Sequence, residues 1–309
     1  MLFEKSGNRL YILLVVVLVI TVGGILLKYS GNEGNDVGVG IPALDTTGIN
    51  RIEMIPKGGS LVVFEKTGED WVITLPGGTG KKVVADGTKI SSMIFTLSEL
   101  KVINLVSRKK DDFAGFGLDT GATSLKLFSK GESEFELLIG KSEMLSPQEM
   151  GTYVKMVSAD EVYLVSGFLD MSFNSDLTLY RQTKLTFDGS ESWQEINFSG
   201  VENISLKRAV TDWLVENKKV DSAKITDYLK QLTTLEVRNF ADDIDPAKLG
   251  KPKSQLRVKT VSGREFEISA YFNETDTLIT SSLGRGNIYR SSKEEPLYFK
   301  IFPGLKRLE

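Results

Sequence analysis

The chain of 309 residues has no cysteine and no histidine. Without cysteine there can be no disulfide, no thiolate metal site and no cysteine for a bacterial lipid anchor. Without histidine the usual general base and the commonest metal ligand are gone. Positive charge is not in excess either. The formal net charge is −3, spread along the chain, which leaves no basic stripe for nucleic acid. A phosphate-binding loop is missing as well. Gly77-Gly78-Thr79-Gly80-Lys81-Lys82 comes nearest, but a Walker A loop needs glycine where Leu75 stands and a hydroxyl residue where Lys82 stands. No Gly-x-Ser-x-Gly elbow is present for an acyl-transfer nucleophile. Asp242, Asp243 and Asp245 cluster, as do Asp111 and Asp112, yet Pro246 and Ala247 interrupt the alternation of a calcium loop, so solvated turns are expected. This reading assigns no catalytic, cofactor-binding or metal residue, and no cofactor.

What is present begins with a repeat. Ile90, Met93, Ile94, Leu97 and Leu100 recur at helical spacing behind a capping Asp86. A strand-like run, Val102 to Val106, follows. Then come Arg108-Lys109-Lys110-Asp111-Asp112, a turn Phe116-Gly117-Leu118-Asp119, and a hairpin. Its two runs hold Leu125 and Leu127, then Phe135, Leu137 and Ile139, around Gly131. The same order returns further on. Ile225, Tyr228, Leu229, Leu232 and Leu235 form the helix, and Val237 to Phe240 the strand. Asp245 to Gly250 is the turn, and Leu256, Val258, Phe266 and Ile268 form the hairpin around Gly263. The pairs Trp71 and Trp213, Ile90 and Ile225, Gly117 and Gly250, Phe135 and Phe266, Tyr163 and Tyr298 keep one order at nearly constant spacing. Such order over many elements points to an internal duplication.

Leu10 to Leu27 carries no charge and is almost wholly Leu, Val and Ile, between Arg9 and Lys28. At about 1.5 Å per residue it reaches roughly 27 Å, the thickness of a bilayer core. A cleaved signal peptide would have a shorter apolar core and a small-residue cleavage site after it. The run therefore reads as an uncleaved anchor over 10–28, with 1–9 cytoplasmic, because Lys5 and Arg9 precede it and Glu33, Asp36 and Asp45 follow. A Gly/Asn/acidic linker over 29–44 leads to a first lobe at 45–188 and a second at 189–309.

The first lobe opens as a meander: Ile49 to Ile55, Leu61 to Lys66 and Asp70 to Ile73, with turns at Lys57-Gly58-Gly59 and Thr67-Gly68-Glu69. It closes with Tyr153 to Val157, Glu161 to Val165 and a short helix in Gly167 to Phe173. Leu179 to Asp188 bridges the lobes. The second lobe opens at Trp193 with strands Val201 to Leu206 and Trp213 to Glu216, and ends with Asn287 to Arg290 and Leu297 to Phe302. The expected fold is α+β: a transmembrane helix, then two similar lobes of antiparallel sheet, each packed with one helix. Trp71 and Trp213 read as core residues within strands, in preference to sugar-stacking platforms. Arg108-Lys109-Lys110 reads as a face neutralised by the two aspartates beside it. Asn197, Asn203 and Asn273 head glycosylation-type triplets.

The combination of Asp70-Trp71-Val72-Ile73, Ala85-Asp86, Phe116-Gly117-Leu118-Asp119, Leu138-Ile139-Gly140-Lys141, Tyr153-Val154 and Val162-Tyr163-Leu164-Val165-Ser166 resembles a bacterial family, the domain of unknown function numbered 4340. Tyr180-Arg181 before Phe187-Asp188 is similar to that family's link between halves. The resemblance runs over nearly all of 45–300, is good in the first copy, and weakens in the second, where Lys251-Pro252 follows Gly250 in place of Leu-Asp. It implies a single N-terminal span and genes beside an ABC-type permease, an ATPase and a gliding-type auxiliary protein. It carries no catalytic residue across. The expectation is a single-pass protein of a bacterial inner membrane with its bulk in the periplasm. It would act without catalysis as an accessory subunit of an ABC-type envelope transporter. Its partners would be the membrane, the permease, the ATPase and the auxiliary protein, and not nucleic acid. A cell-envelope scaffold or polymer-binding protein is the alternative, and a periplasmic hydrolase stands behind both.

Overall fold

Period-two alternation sets most of this chain. The computed structural model describes residues 40–76, 80–187, 189–210, 212–273, 276–292 and 296–304. The expected cytoplasmic segment, the anchor and most of the linker lie outside the described residues. Among the described residues no helix is long and apolar enough to cross a membrane.

The first sheet contains β1 (Ile49–Ile55), β2 (Val62–Thr67), β3 (Asp70–Thr74), β4 (Lys82–Val84), β5 (Val102–Ser107), β6 (Thr123–Ser129), β7 (Glu132–Ser146), β8 (Glu149–Met156) and β9 (Val162–Ser166). Their order across the sheet is β4-β3-β2-β1-β6-β7-β8-β9-β5. The second contains β10 (Trp193–Gly200), β11 (Ile204–Ala209), β12 (Asp212–Val215), β13 (Lys218–Lys219), β14 (Ser254–Thr260), β15 (Glu265–Phe272), β16 (Thr277–Ser281) and β17 (Tyr289–Ser291). Their order is β13-β12-β11-β10-β14-β15-β16-β17. The two orders coincide strand for strand until β5, which among the described residues has no strand counterpart beside β17. All the strand pairings are antiparallel.

The likeness extends to an irregularity. In β1 the register slips between Ile49 and Arg51, leaving Asn50 as the extra residue of a bulge. In β10 it slips between Trp193 and Glu195, at Gln194. The extra residue lets Ile49 and Ile52 both face inward, as it does Trp193 and Ile196, where strict alternation would turn one of each pair outward.

Helix α1 (Gly87–Ser98) lies on the first lobe and α2 (Ser222–Thr233) on the second. The Asp86 carboxylate accepts the Thr88 N–H, and Asp221 accepts those of Ala223 and Lys224. Ile90, Met93 and Leu97 of α1 are buried. Burying three such side chains contributes on the order of 5–9 kcal/mol, against about 1 kcal/mol for a cap, so packing holds the helix and the cap sets where it starts. Trp71 and Trp213 are buried in their sheets, as core residues. Trp193 meets Phe266 edge-on at 5.3 Å in the second core. Phe116 and Leu118 plug the turn as expected, with Phe116 at 4.6 Å from Tyr153. Gly117 there has φ 68° with the Lys141 backbone against it, a conformation a side chain disfavours.

The structure corrects several expectations. Val237 to Phe240 is not a strand. Its hydrogen bonds are divided: Val237 N–H donates to Thr183 of the link, while Ala241 N–H donates to Ile288 and Asn239 C=O accepts from Arg290. Only isolated bridges at Glu236 and Phe240 result. Leu297 to Phe302 is not a strand either. It is helix α3 (Leu297–Ile301), with Leu297 and Ile301 buried four residues apart and Phe299 outward. Tyr298 is therefore no counterpart of Tyr163, which lies in β9. Residues 201–203 form a turn between β10 and β11. The short helix expected in Gly167 to Phe173 is present as a 3₁₀ turn over 169–171, while β7 runs on past Gly140 to Ser146. The proportion of helix is small, so the fold is mostly sheet. From Ala43 onward both sheets belong to one compact unit.

Candidate functional site

The link between the halves is bonded to both of them, and its central side chain is Arg181. A 3₁₀ turn (Leu177–Tyr180), capped by Asp176, delivers Arg181 to a bridge with Ala85 just after β4. Its side chain is only 2% exposed. Nη1 donates to Asp242 Oδ2 at 2.6 Å and Nη2 to Asp242 Oδ1 at 2.9 Å. Nε donates to Asn287 Oδ1 at 2.8 Å, and the guanidinium lies 3.6 Å from the centre of the Phe240 ring. A bidentate carboxylate, a third acceptor and an aromatic face together satisfy a buried guanidinium. Asn287 then donates from Nδ2 to the Val84 carbonyl at 2.9 Å, back into the first sheet.

Other contacts run along the same seam. Val84 N–H donates to Arg285 C=O at 2.9 Å, so the loop before β17 covers the edge of β4. Gly286 packs against the Lys82 carbonyl so closely that a Cβ would sit 2.3 Å from it. Asp70 pairs with Arg285. Tyr289 Oη donates to Gln182 C=O at 2.8 Å and Ser281 Oγ to Leu185 C=O at 2.7 Å.

Beside this seam opens a cavity of about 330 Å³ between α1, the link and the segment after α2. Asp86, Lys89, Met171, Thr183, Glu236 and Arg238 are among its lining residues. Glu236 and Arg238 pair across 3.4 Å. Desolvation would raise the Asp242 carboxyl, but the Arg181 guanidinium, with Lys81 behind it, holds it below the ordinary aspartate value. Burial pushes the Tyr180 hydroxyl up to about 12. That hydroxyl accepts the Asn174 N–H at 2.6 Å. Burial pushes Tyr289 up too. These phenols are neutral structural donors at physiological pH, and their bonds go to backbone. The arrangement holds surfaces in place; nothing in it sets a nucleophile against a base.

The singled-out residues fall as follows. Residues 77–79 of the glycine run lie outside the described residues. Lys81 Nζ reaches the Asp242 and Ile244 carbonyls at 3.5 and 3.4 Å, and Lys82 pairs with Glu65 at 2.9 Å. Asp242 and Asp243 are more than solvated turn residues, since Asp242 holds Arg181 and Asp243 holds Arg290 at 2.8 Å, while Asp245 caps a 3₁₀ turn. Arg108 and Lys110 pair with Glu161 and Asp160 of the β8–β9 turn, at 3.5 and 3.4 Å, and not with the aspartates beside them. Asp112 accepts instead from Ser107 Oγ. Two Ser-x-x-Lys spacings, Ser98 to Lys101 and Ser107 to Lys110, are not built for attack. Ser98 Oγ donates to Phe95 C=O, and Ser107 is taken by Asp112. Asn203 accepts the Gly200 N–H, and Asn197 donates to Glu195. Among the described residues no group of three or more acidic side chains gathers as a metal site would require.

Compared with known proteins, the chain matches the family described as Domain of unknown function (DUF4340) over residues 71–252. The match spans more than half of the chain, and the chain belongs to that family. It is narrower than the reach expected from the sequence, running from β3 to just before β14. No curated protein and no solved structure matches the chain.

Proposed function

We propose that this DUF4340 member is a membrane-anchored binding subunit of an ABC-type envelope transport complex, acting by contact and not by catalysis. The observation that carries the reading is the seam. Arg181, Asn287 and Gly286 brace two antiparallel sheets into one body, as a module that presents a fixed surface requires. The uncharged run Leu10 to Leu27 is the anchor, with residues 1–9 in the cytoplasm and the sheets in the periplasm. Tethering raises the effective concentration of the sheets near a membrane partner. ATP hydrolysis comes from another chain. The permease, ATPase and gliding-type auxiliary protein that the family resemblance implies are the partners.

The two lobes are products of one duplicated unit in this reading. Shared strand order, the bulges at Asn50 and Gln194, and the near-identical φ of Gly117 and Gly250, 68° and 69°, support it. Native gel electrophoresis of mildly solubilised membranes tests the assignment. The account expects the 34.2 kDa chain to migrate in a far larger band that also holds an ATPase. Migration as a free chain, under conditions that keep other transporters whole, would sink it.

A further inference from the structure

The end of the second lobe differs from the end of the first. Helix α3 follows β17 where a 3₁₀ turn with the exposed Met171 follows β9, and it turns the larger Phe299 outward, 58% exposed. Phe299 and Pro303 form a ridge between two hollows. On one side lies the turn after β10, with Val201 68% exposed. On the other lies the groove between α2 and α3, lined among the described residues by Lys224, Lys230 and Lys300 with one carboxylate, Asp227. Tyr298 connects the ridge to Phe272, 42% exposed, with ring centres 4.9 Å apart. The Gly200 turn lies against the backbone of Lys253, a further exposed lysine. Among the described residues, Glu202 is the carboxylate that lines the first of these hollows.

Exposed apolar tips on a ridge, ringed by lysines whose long stems can cover apolar surface while their ammonium groups stay wet, are the elements of a bilayer-interface contact. The lysine at position 230 is instructive. Its counterpart on α1 is Phe95, whereas that of Lys224 is Lys89, so the second lysine of the groove is not part of the shared helix plan. We propose that this end of the second lobe docks on the surface of an anionic bilayer, Phe299 and Val201 entering the interface and Lys224 and Lys230 meeting lipid phosphates. The inference rests on the anchored reading above. An anchor ending at Leu27 leaves about 12 residues before Gly40, which span at most roughly 40 Å when fully extended, so in that reading a bilayer is a standing neighbour of the lobes. An acidic protein segment would suit the lysine groove, but it would leave Val201 and the Phe272 side of the ridge uncovered.

The natural absence of cysteine makes the test clean. Full-length chains with Val201→Cys or Phe299→Cys, and a control with Val210→Cys in the β11–β12 turn, 94% exposed, are labelled with a fluorophore and placed in lipid nanodiscs. Nitroxide lipids in anionic discs should quench positions 201 and 299 about threefold more than position 210. The excess should fade at about 0.5 M salt, and in a Lys224→Glu, Lys230→Glu background. Equal quenching at all three positions, in chains that remain with the disc, overturns the docking but leaves the anchor standing. Chains that separate from the disc overturn both. Excess quenching that appears only after the co-purified proteins are added assigns the ridge to a protein partner and also overturns the proposal.

Discussion

Arg181 shows how much of this molecule depends on one side chain. Its guanidinium is buried, and the acceptors it uses, Asp242 and Asn287, lie 61 and 106 residues away in sequence. Arg181→Met strands a carboxylate and an amide oxygen. Because Asp242 stays half-exposed, the loss should fall at the low end for a broken buried pair, about 2–3 kcal/mol, read as a lower urea midpoint. Acid should act on the same contact. The folded Asp242 carboxyl titrates below its unfolded value. Its contribution is therefore complete above the ordinary aspartate value and is lost as pH falls through the folded one. Asp242→Asn should be less stable at neutral pH and lose less stability on acidification than the parent, as urea midpoints from pH 7 to pH 3 would register. Sequence alone put Tyr180-Arg181 in the link but gave no sign of these partners. An arginine in a connection looks like any solvated cation until the fold brings an aspartate and an aromatic face to it.

At the scale of elements, period and punctuation carried most of the information. β1, the β6–β7 hairpin and the buried stripes of both helices stand where spacing places them, because alternation and the three-to-four residue repeat record which face is buried. The losses have physical causes. Leu297, Phe299 and Ile301 alternate with Tyr298 and Lys300, which reads as a strand, but the same letters put Leu297 and Ile301 on one helical face. The run after α2 has strand-like composition, yet the link takes one of its hydrogen bonds and the β17 segment the others. Two predictions belong here. Asp86→Ala should cost about 1 kcal/mol by freeing the first-turn N–H of Thr88. Ile301→Ala should cost about 2–4 kcal/mol, since the Ile301 side chain is fully buried in the second core. Both are measurable by denaturant melts.

For the whole molecule, the question is whether two lobes behave as one. The three tryptophans divide usefully, with Trp71 in the first sheet and Trp193 and Trp213 in the second. A Trp71→Phe chain reports the second lobe. A chain with Trp193→Phe and Trp213→Phe reports the first. With the seam intact, each reporter should follow the loss of its chain's far-UV circular dichroism in one transition. In a Gly286→Val background, where a Cβ would meet the Lys82 carbonyl, the reporter curves should part from those of the bulk backbone. In the proposed function, bracing of this kind would let the chain present one surface to a partner. The central claim is that this surface serves an ABC-type complex. Its most direct test is a mild-detergent pull-down of the full-length chain from its native membrane, with a second chain whose Leu10–Leu27 run is replaced by an unrelated span. The account predicts that a permease and an ATPase come down with both chains, the contact being made by the sheets. Recovery of neither, while known complexes from the same membranes stay whole, would contradict it.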